Sequence, residues 1–189
     1  MDMHGFDKTI GDRFGIVVGD STLVLIKVGR GESIVRNDNL FFHVANQIRQ
    51  RDGCSVIVSA NPDDSVCNLE DEIRELLATG LDVSEIIFVG LSDGALIGAQ
   101  QGWKNALISR MLLINGSLKN NWIKTKKGIE YFEGEEVRFL YGDDDPSYEY
   151  VYLLDLIDSD RCEVCLLPGV DHAFSGREEM LVHEILDFV

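Results

Sequence analysis

The fold of this chain is constrained most by an alternation, from one end to the other, of short apolar β-branched runs with amphipathic helical patterns. Several of the runs are almost continuously hydrophobic, which is typical of strands buried on both faces of a parallel sheet. Seven strands are predicted, at residues 16–18, 23–28, 55–59, 85–89, 111–114, 137–141 and 163–167. Alternating β and α units predict an α/β fold in which a mostly parallel sheet of about seven strands forms a three-layer αβα sandwich.

The helices between these strands show apolar residues at helical spacing. Residues 38–51 form a predicted helix with Asn37 or Asp38 as its N-cap, and residues 69–79 form another that stops at Gly80. A third predicted helix ends the chain. The apolar stripes of the three helices are Leu40, Val44 and Ile48, then Leu69, Ile73 and Leu76, then Leu181, Ile185 and Phe188.

The N-terminal edge and the domain organisation follow from turn signals. Gly19-Asp20 between the first two strands predicts a hairpin, so the sheet is expected to begin with an antiparallel edge. No repeat, low-complexity segment or Pro/Ser-rich linker divides the chain, which predicts one domain over residues 1–189. The segment 115–134 is too short for a separate cap domain.

Charge and composition exclude several classes of protein. Lys and Arg number 17 against 33 Asp and Glu, so the net charge is −16, which argues against nucleic-acid or anionic-membrane binding. No run reaches the ~18 apolar residues of a membrane span, and the N-terminus lacks the apolar core of a signal peptide. A cytoplasmic location is expected. Cys162 and Cys165 form a CxxC within a predicted strand, where they point to opposite faces, so no metal or other cofactor is expected.

The best candidate for chemistry is the sequence Gly90-Leu91-Ser92-Asp93-Gly94, a GxSxG between a predicted strand and a predicted helix. Such a motif forms a sharp turn with an exposed, strained serine, and small neighbours let the backbone come close. Gly94, Gly98 and Gly102 recur every fourth residue, which gives the following helix a bare stripe for packing on the sheet. An ordinary glycine-rich turn is the alternative interpretation.

Two further strand ends carry the partners that a nucleophilic serine needs. Gly142-Asp143-Asp144-Asp145-Pro146 follows one strand, and Pro168-Gly169-Val170-Asp171-His172 follows the last. Of the four histidines, His172 alone follows a strand in a loop. Serine, aspartate and histidine therefore occur in the chain order expected for an α/β-hydrolase.

With FVGLSDGALIGAQ, FLYGDDDP, LPGVDHAF and LVLIKVGRGES, the chain resembles the α/β-hydrolase superfamily from about Asp12 to Val189. The resemblance implies a small lidless serine hydrolase, with Ser92 as nucleophile, His172 as general base and Asp145 as the acid that orients it. Asp143 and Asp144 are alternatives for the acid. Asp171 is a poor candidate, since it directly precedes the histidine.

The resemblance also implies an oxyanion hole made by the backbone N–H groups of Asp93 and of Arg30, with Gly31 as an alternative to Arg30. Val28-Gly29 stands where family members often have His-Gly. A carboxylate at Asp93 could oppose the developing oxyanion unless it points away or pairs with a cation, and this keeps open a non-catalytic ligand-binding protein. An acyltransferase is the other alternative to an enzyme that hydrolyses an ester or related acyl bond.

The substrate is expected to be a small acyl compound. Gly29, Gly31, Trp122 and Lys124 are candidate contacts for it, although Trp122 and Tyr131 are also typical of a core. Lys119, Lys124, Lys126 and Lys127 form either a cationic rim for an anionic substrate or a solvated helix face. The sequence leaves open whether the protein is a monomer or a homodimer.

Overall fold

The computed structural model describes residues 5–35, 39–63 and 67–189. These residues form one eight-stranded sheet, with the order β1-β2-β4-β3-β5-β6-β7-β8. The strands are β1 Lys8–Ile10, β2 Phe14–Val17, β3 Thr22–Lys27, β4 Ser55–Ser59, β5 Glu85–Leu91, β6 Ile108–Ile114, β7 Glu136–Gly142 and β8 Cys162–Leu167. Strands β3 to β8 run parallel to one another, and β1 and β2 are antiparallel to their neighbours.

Five α-helices in the described ranges cover the two faces of this sheet. They are α1 Leu40–Asp52, α2 Leu69–Leu77, α3 Asp93–Gln101, α4 Trp122–Glu130 and α5 Glu178–Phe188, and 3-10 helices lie at Gly102–Lys104 and Pro146–Leu156. Apolar residues of α1 and α5 pack on one face of the sheet, and those of α2, α3 and α4 pack on the other. The predicted three-layer sandwich with a mostly parallel sheet is confirmed.

The antiparallel edge is confirmed, but the predicted hairpin at Gly19-Asp20 is wrong. Strand β2 pairs with β4 and not with β3. The backbone N–H of Asp20 donates to the carbonyl of Gly53 at 2.8 Å, so this turn crosses the start of β4. A Cβ at Gly19 would lie 2.2 Å from the same carbonyl oxygen. The hairpin at this edge joins β2 to β1, an eighth strand of only three residues that the sequence pattern did not reveal.

The predicted apolar stripes face the core, with only Leu40 half-buried at the start of α1. Helix α1 begins at Leu40, and the predicted caps Asn37 and Asp38 lie outside the described residues. Helix α2 ends at Leu77, earlier than predicted, and Gly80 follows with a φ of 87°.

The topology places the ends of β3, β5, β7 and β8 along one edge of the sheet, because parallel strands end on the same side. The loops that carry Arg30, Ser92, Asp145 and His172 start from these ends. Between β6 and β7 the chain forms the nine-residue helix α4. Within the described ranges, no helix has the length and apolar character needed to cross a membrane.

Candidate active site

Ser92 lies at the turn between β5 and α3, in a strained backbone conformation with φ 54° and ψ −114°. Its N–H donates to the carbonyl of Ile114 at 2.8 Å, and its carbonyl accepts from Ala95 and Leu96 in the first turn of α3. A positive φ is uncommon for a residue with a side chain and persists only where surrounding contacts fix it. The turn therefore holds the serine hydroxyl at the edge of the sheet.

The two motif glycines are required by close backbone contacts. A Cβ at Gly94 would lie 2.1 Å from the carbonyl oxygen of Lys27, at the end of β3. A Cβ at Gly90 would lie 2.6 Å from the carbonyl oxygen of Gly94 itself. The bare stripe continues along the helix, because Gly98 contacts Phe88 of the sheet. The predicted reason for glycine at these positions is confirmed.

The structure brings His172 and Asp145 to Ser92. The Nδ1–H of His172 donates to Oδ2 of Asp145 at 2.6 Å, which leaves Nε2 to accept from the Ser92 hydroxyl at 2.9 Å. The ring is about half-exposed, whereas the Asp145 side chain is fully buried. Burial raises the pKa of Asp145, but hydrogen bonds from His172 and from the backbone N–H of Ser147 outweigh it, so the pKa lies below its ordinary value. A buried, ionised carboxylate fixes the ring in the tautomer that a general base needs.

Two of the other aspartates near the histidine have structural contacts of their own, and the third is exposed. Asp143 accepts a hydrogen bond from the backbone N–H of Gly169 at 2.6 Å, and Asp144 is exposed. Asp171 accepts from the N–H groups of Ala173 and Ser175 and so shapes the loop that carries His172. Of the aspartates considered from the sequence, Asp145 is the one whose carboxylate is seen to accept a hydrogen bond from the imidazole.

The start of α3 and the loop after β3 lie beside the serine. Asp93 is the first residue of α3, and the first N–H groups of a helix have no partner within it. The loop after β3 comes close on the other side: a Cβ built on Gly29 would lie 3.3 Å from the Cβ of Ser92. Gly31 is not available as a donor, because its N–H is used by the carbonyl of Asn61 at 2.7 Å. The N–H of Arg30 makes no hydrogen bond within the described residues.

The carboxylate of Asp93 is paired with a cation. Its Oδ2 accepts from Nε of Arg30 at 2.6 Å, with the guanidinium about two-thirds exposed. The side chains of the two residues that the resemblance assigns to the oxyanion hole thus contact each other. The negative charge of the Asp93 carboxylate is therefore partly offset by the Arg30 guanidinium.

Two cavities adjoin the site. The smaller, of about 30 Å³, has Ser92 and His172 in its wall together with mostly apolar side chains, among them Leu40, Phe41 and Phe174. The larger, of about 580 Å³, is polar and includes Arg30, Asp93 and Lys124. Cys67 also lines the larger cavity, but burial and then the charge of Glu72 raise its pKa to about 12, so it is a neutral thiol.

The remaining predicted contacts divide between the site and the core. Trp122 packs against the apolar core beneath α4, away from both cavities. Among the rim lysines, Lys126 pairs with Glu130, and Lys127 lies over the ring of Tyr131 at 5.4 Å. Lys119 lies over the ring of Tyr150 at 5.2 Å. Only Lys124 of the four reaches a cavity beside Ser92.

Two residues at the site were missed from the sequence. Asn115, at the end of β6 with a φ of 50°, donates to the carbonyl of His172 at 3.2 Å and accepts from the N–H of Gly142 at 3.0 Å. It therefore ties the histidine loop to the strand that carries the acid. Glu32 accepts from the N–H of Gly29 at 3.2 Å and lines the small cavity. An Asn-Gly pair directly after a buried strand was the only sequence signal for Asn115.

Comparison with protein-family models and with curated proteins finds no match. Solved structures match over almost the whole chain. Est1E from Butyrivibrio proteoclasticus has a TM-score of 0.70 at 12% identity, covering 96% of this chain and 95% of that one. An alpha-beta serine hydrolase homologue from Coxiella burnetii has a TM-score of 0.70 at 13% identity, covering 92% and 89%. A putative alpha/beta hydrolase from Agrobacterium tumefaciens has a TM-score of 0.70 at 14% identity, covering 93% and 88%. Together with the strand order and the serine turn, these likenesses establish that the chain has the α/β-hydrolase fold that its motifs predicted.

Proposed function

We propose that this protein is a serine hydrolase that cleaves a carboxylic ester or a related acyl bond through an acyl-enzyme intermediate. The observation that carries the proposal is the unbroken series of contacts from the buried Asp145 through His172 to Ser92. Solved structures similar to this chain include a serine hydrolase homologue from Coxiella burnetii and an esterase domain from Rhodothermus marinus, which agrees with the proposal. The free thiols of all four cysteines fit a reducing compartment, so we also propose that the enzyme is cytoplasmic.

The proposed mechanism follows from these contacts. His172 Nε2 takes the proton of Ser92 as Oγ attacks the acyl carbon, and Asp145 stabilises the imidazolium that forms. The backbone N–H groups of Arg30 and Asp93 donate to the oxyanion of the tetrahedral intermediate. The bond to the leaving group breaks, and His172 returns the proton to it. Water then attacks the acyl-enzyme with His172 again as base, which releases the acid and restores Ser92.

The test is turnover of 4-nitrophenyl acetate by the wild type, Ser92→Ala, His172→Ala and the double variant. Because the two residues act as a unit, each single variant is expected to lose at least ~10³-fold in kcat, with little further loss in the double variant. Equal rates in wild type and Ser92→Ala would refute the proposal.

Labelling separates the alternative functions. A fluorophosphonate should label the wild type at one site and leave Ser92→Ala unlabelled, since it reacts with an activated serine. A wild-type protein that neither labels nor turns over ester is a binding protein on this fold. Transfer of the acetyl group to an added alcohol in preference to water would identify an acyltransferase.

A further inference from the structure

The larger cavity is placed to hold part of the substrate. It measures about 580 Å³, within the usual range for small-molecule sites. Its wall includes Arg30 and Asp93, whose backbone N–H groups are the proposed donors to the oxyanion. A group bound in this cavity therefore lies against the Arg30–Asp93 pair, and Asp93 directly follows Ser92 in the chain.

The wall of this cavity is rich in amides and balanced in charge. Two cations and two carboxylates line it, and one of each kind is paired across 2.6 Å. The charged residues are Arg30, Lys124, Asp63 and Asp93, and the amides are Asn61, Gln100, Gln101, Asn120 and Asn121. Gln100 and Gln101 already use their amide N–H groups within the fold, on Asn120, Thr125 and Cys67. The asparagine amides can offer both donors and acceptors, which is what a hydroxyl group needs. The wall suits a neutral, hydroxyl-rich group better than an anion, because its cations and carboxylates balance and give an anion no net attraction.

Asn61 adds a second observation. It is only 4% exposed, and its side-chain nitrogen has no hydrogen-bond partner among the described residues. Its backbone groups already have partners, since the carbonyl accepts from the N–H of Gly31. Buried polar groups almost always have a partner, so an unpaired amide beside a polar cavity points to a hydrogen-bonding ligand there.

The smaller cavity has the opposite character. It holds only about 30 Å³, and its wall combines Ser92 and His172 with apolar side chains such as Phe41 and Leu181. A sugar ring does not fit this volume, whereas the methyl group of an acetyl does. Because acyl chains are apolar and biological alcohols carry hydroxyls, the small cavity suits the acyl side of an ester and the large cavity suits the alcohol side.

We infer that the substrate is an ester of a short acyl group, such as acetyl, with a neutral polyhydroxylated alcohol of about the size of a hexose. The inference rests on the proposed hydrolase function. It names the leaving group as an alcohol whose hydroxyls bond to the amide-lined cavity, and the products as a short carboxylic acid and the free alcohol.

The experiment compares three acetyl esters whose alcohols each have six carbons: 6-O-acetylglucose, hexyl acetate and 6-acetoxyhexanoate. They present a hydroxylated, an apolar and an anionic group to the same cavity. Acetate release is expected to give a kcat/KM about tenfold higher for 6-O-acetylglucose than for either of the others, since each net hydrogen bond contributes a several-fold factor. Equal or lower values for 6-O-acetylglucose would overturn the inference.

Variants locate the effect. Asn120→Ala removes an exposed amide from the cavity wall, and Asn61→Ala removes the buried one. Each is expected to lower the ratio of kcat/KM for 6-O-acetylglucose to that for hexyl acetate by about fivefold. Gln50→Ala, an exposed amide on α1 across the sheet, is the control and should leave the ratio unchanged. A ratio unchanged in both cavity variants would place sugar recognition elsewhere and refute the assignment.

Fluorophosphonate labelling of the same samples keeps the two proposals apart. If Ser92 labels and hexyl acetate is the best substrate, the hydrolase stands and the substrate class is wrong. If Ser92 does not label and none of the three esters releases acetate, the proposed function fails and the inference falls with it.

Discussion

A buried ion pair beneath the site gives the most quantitative prediction. Lys27, the last residue of β3, is 2% exposed, and its ammonium donates to Glu72 at 2.8 Å, to Ser59 at 2.9 Å and to the carbonyl of Ala60 at 2.7 Å. The three protons of the Lys27 ammonium thus have three acceptors. Removing one partner of such a pair leaves a buried charge without compensation, which costs about 3–5 kcal/mol. For a chain of 189 residues, this corresponds to a Tm lower by roughly 6–20 °C.

The assay is urea unfolding at pH 7, followed by circular dichroism, on Lys27→Met, Glu72→Leu and the double variant. Each single variant should lose about 3–5 kcal/mol, and the double variant should recover to within about 1 kcal/mol of the wild type, because no charge is then left buried alone. Arg74→Met on the same helix removes an exposed pair with Asp71 and should cost no more than about 0.5 kcal/mol. Single variants that lose under ~1 kcal/mol, or a double variant as unstable as the sum of both, would refute the reasoning.

Three predictions concern the proposed active-site residues. Asp145→Asn should lower kcat for 4-nitrophenyl acetate about 10⁴-fold by favouring the wrong tautomer of His172, whereas Asp144→Asn should change kcat little. The pKa of Asp145 is lower in the folded state, so its ionised form stabilises the fold above the ordinary aspartate pKa, and this contribution is lost as the pH falls. The Tm of the wild type should therefore fall at acid pH. Asp145→Asn should reduce this fall, whereas Asp144→Asn should retain it. Arg30→Gln should lower kcat about fivefold by leaving the Asp93 carboxylate unpaired, a coupling on the order of 1 kcal/mol, and adding Asp93→Asn should restore it. Equal kcat in Arg30→Gln and the double variant would contradict that coupling.

The layers of the fold could be predicted because each depends on a repeating pattern. Buried parallel strands are apolar along their length, and helices on the sheet repeat their apolar residues every three or four positions. Strand pairing at the N-terminal edge could not be predicted this way. Gly19-Asp20 has the composition of a hairpin turn, yet it bonds to Gly53 and Ser55 at the start of β4, a contact that local sequence does not encode.

The candidate site likewise contains residues that could be predicted from a sequence pattern and residues that could not. Ser92, Asp145 and His172 each follow a strand, and parallel strands end at the same edge of a sheet, so the sequence alone predicted that the three residues lie together. Asn115 obeys the same rule, but a single asparagine has no characteristic partner spacing. The Lys27–Glu72 pair was missed for a stronger reason, since a lysine inside a strand ordinarily indicates a solvent-facing position.

These contacts explain how the loop after β3 is held beside the serine. Below the loop, the pair with Glu72 fixes Lys27, whose carbonyl oxygen is so close to α3 that Gly94 has no room for a Cβ. Within the loop, Gly29 donates to Glu32. Above it, the side chain of Arg30 contacts Asp93 on the neighbouring helix. An oxyanion hole works only if its donors are in place before the charge develops. The Asp93 carboxylate, which from the sequence alone argued against turnover, therefore makes one of the contacts that hold the two proposed oxyanion donors together.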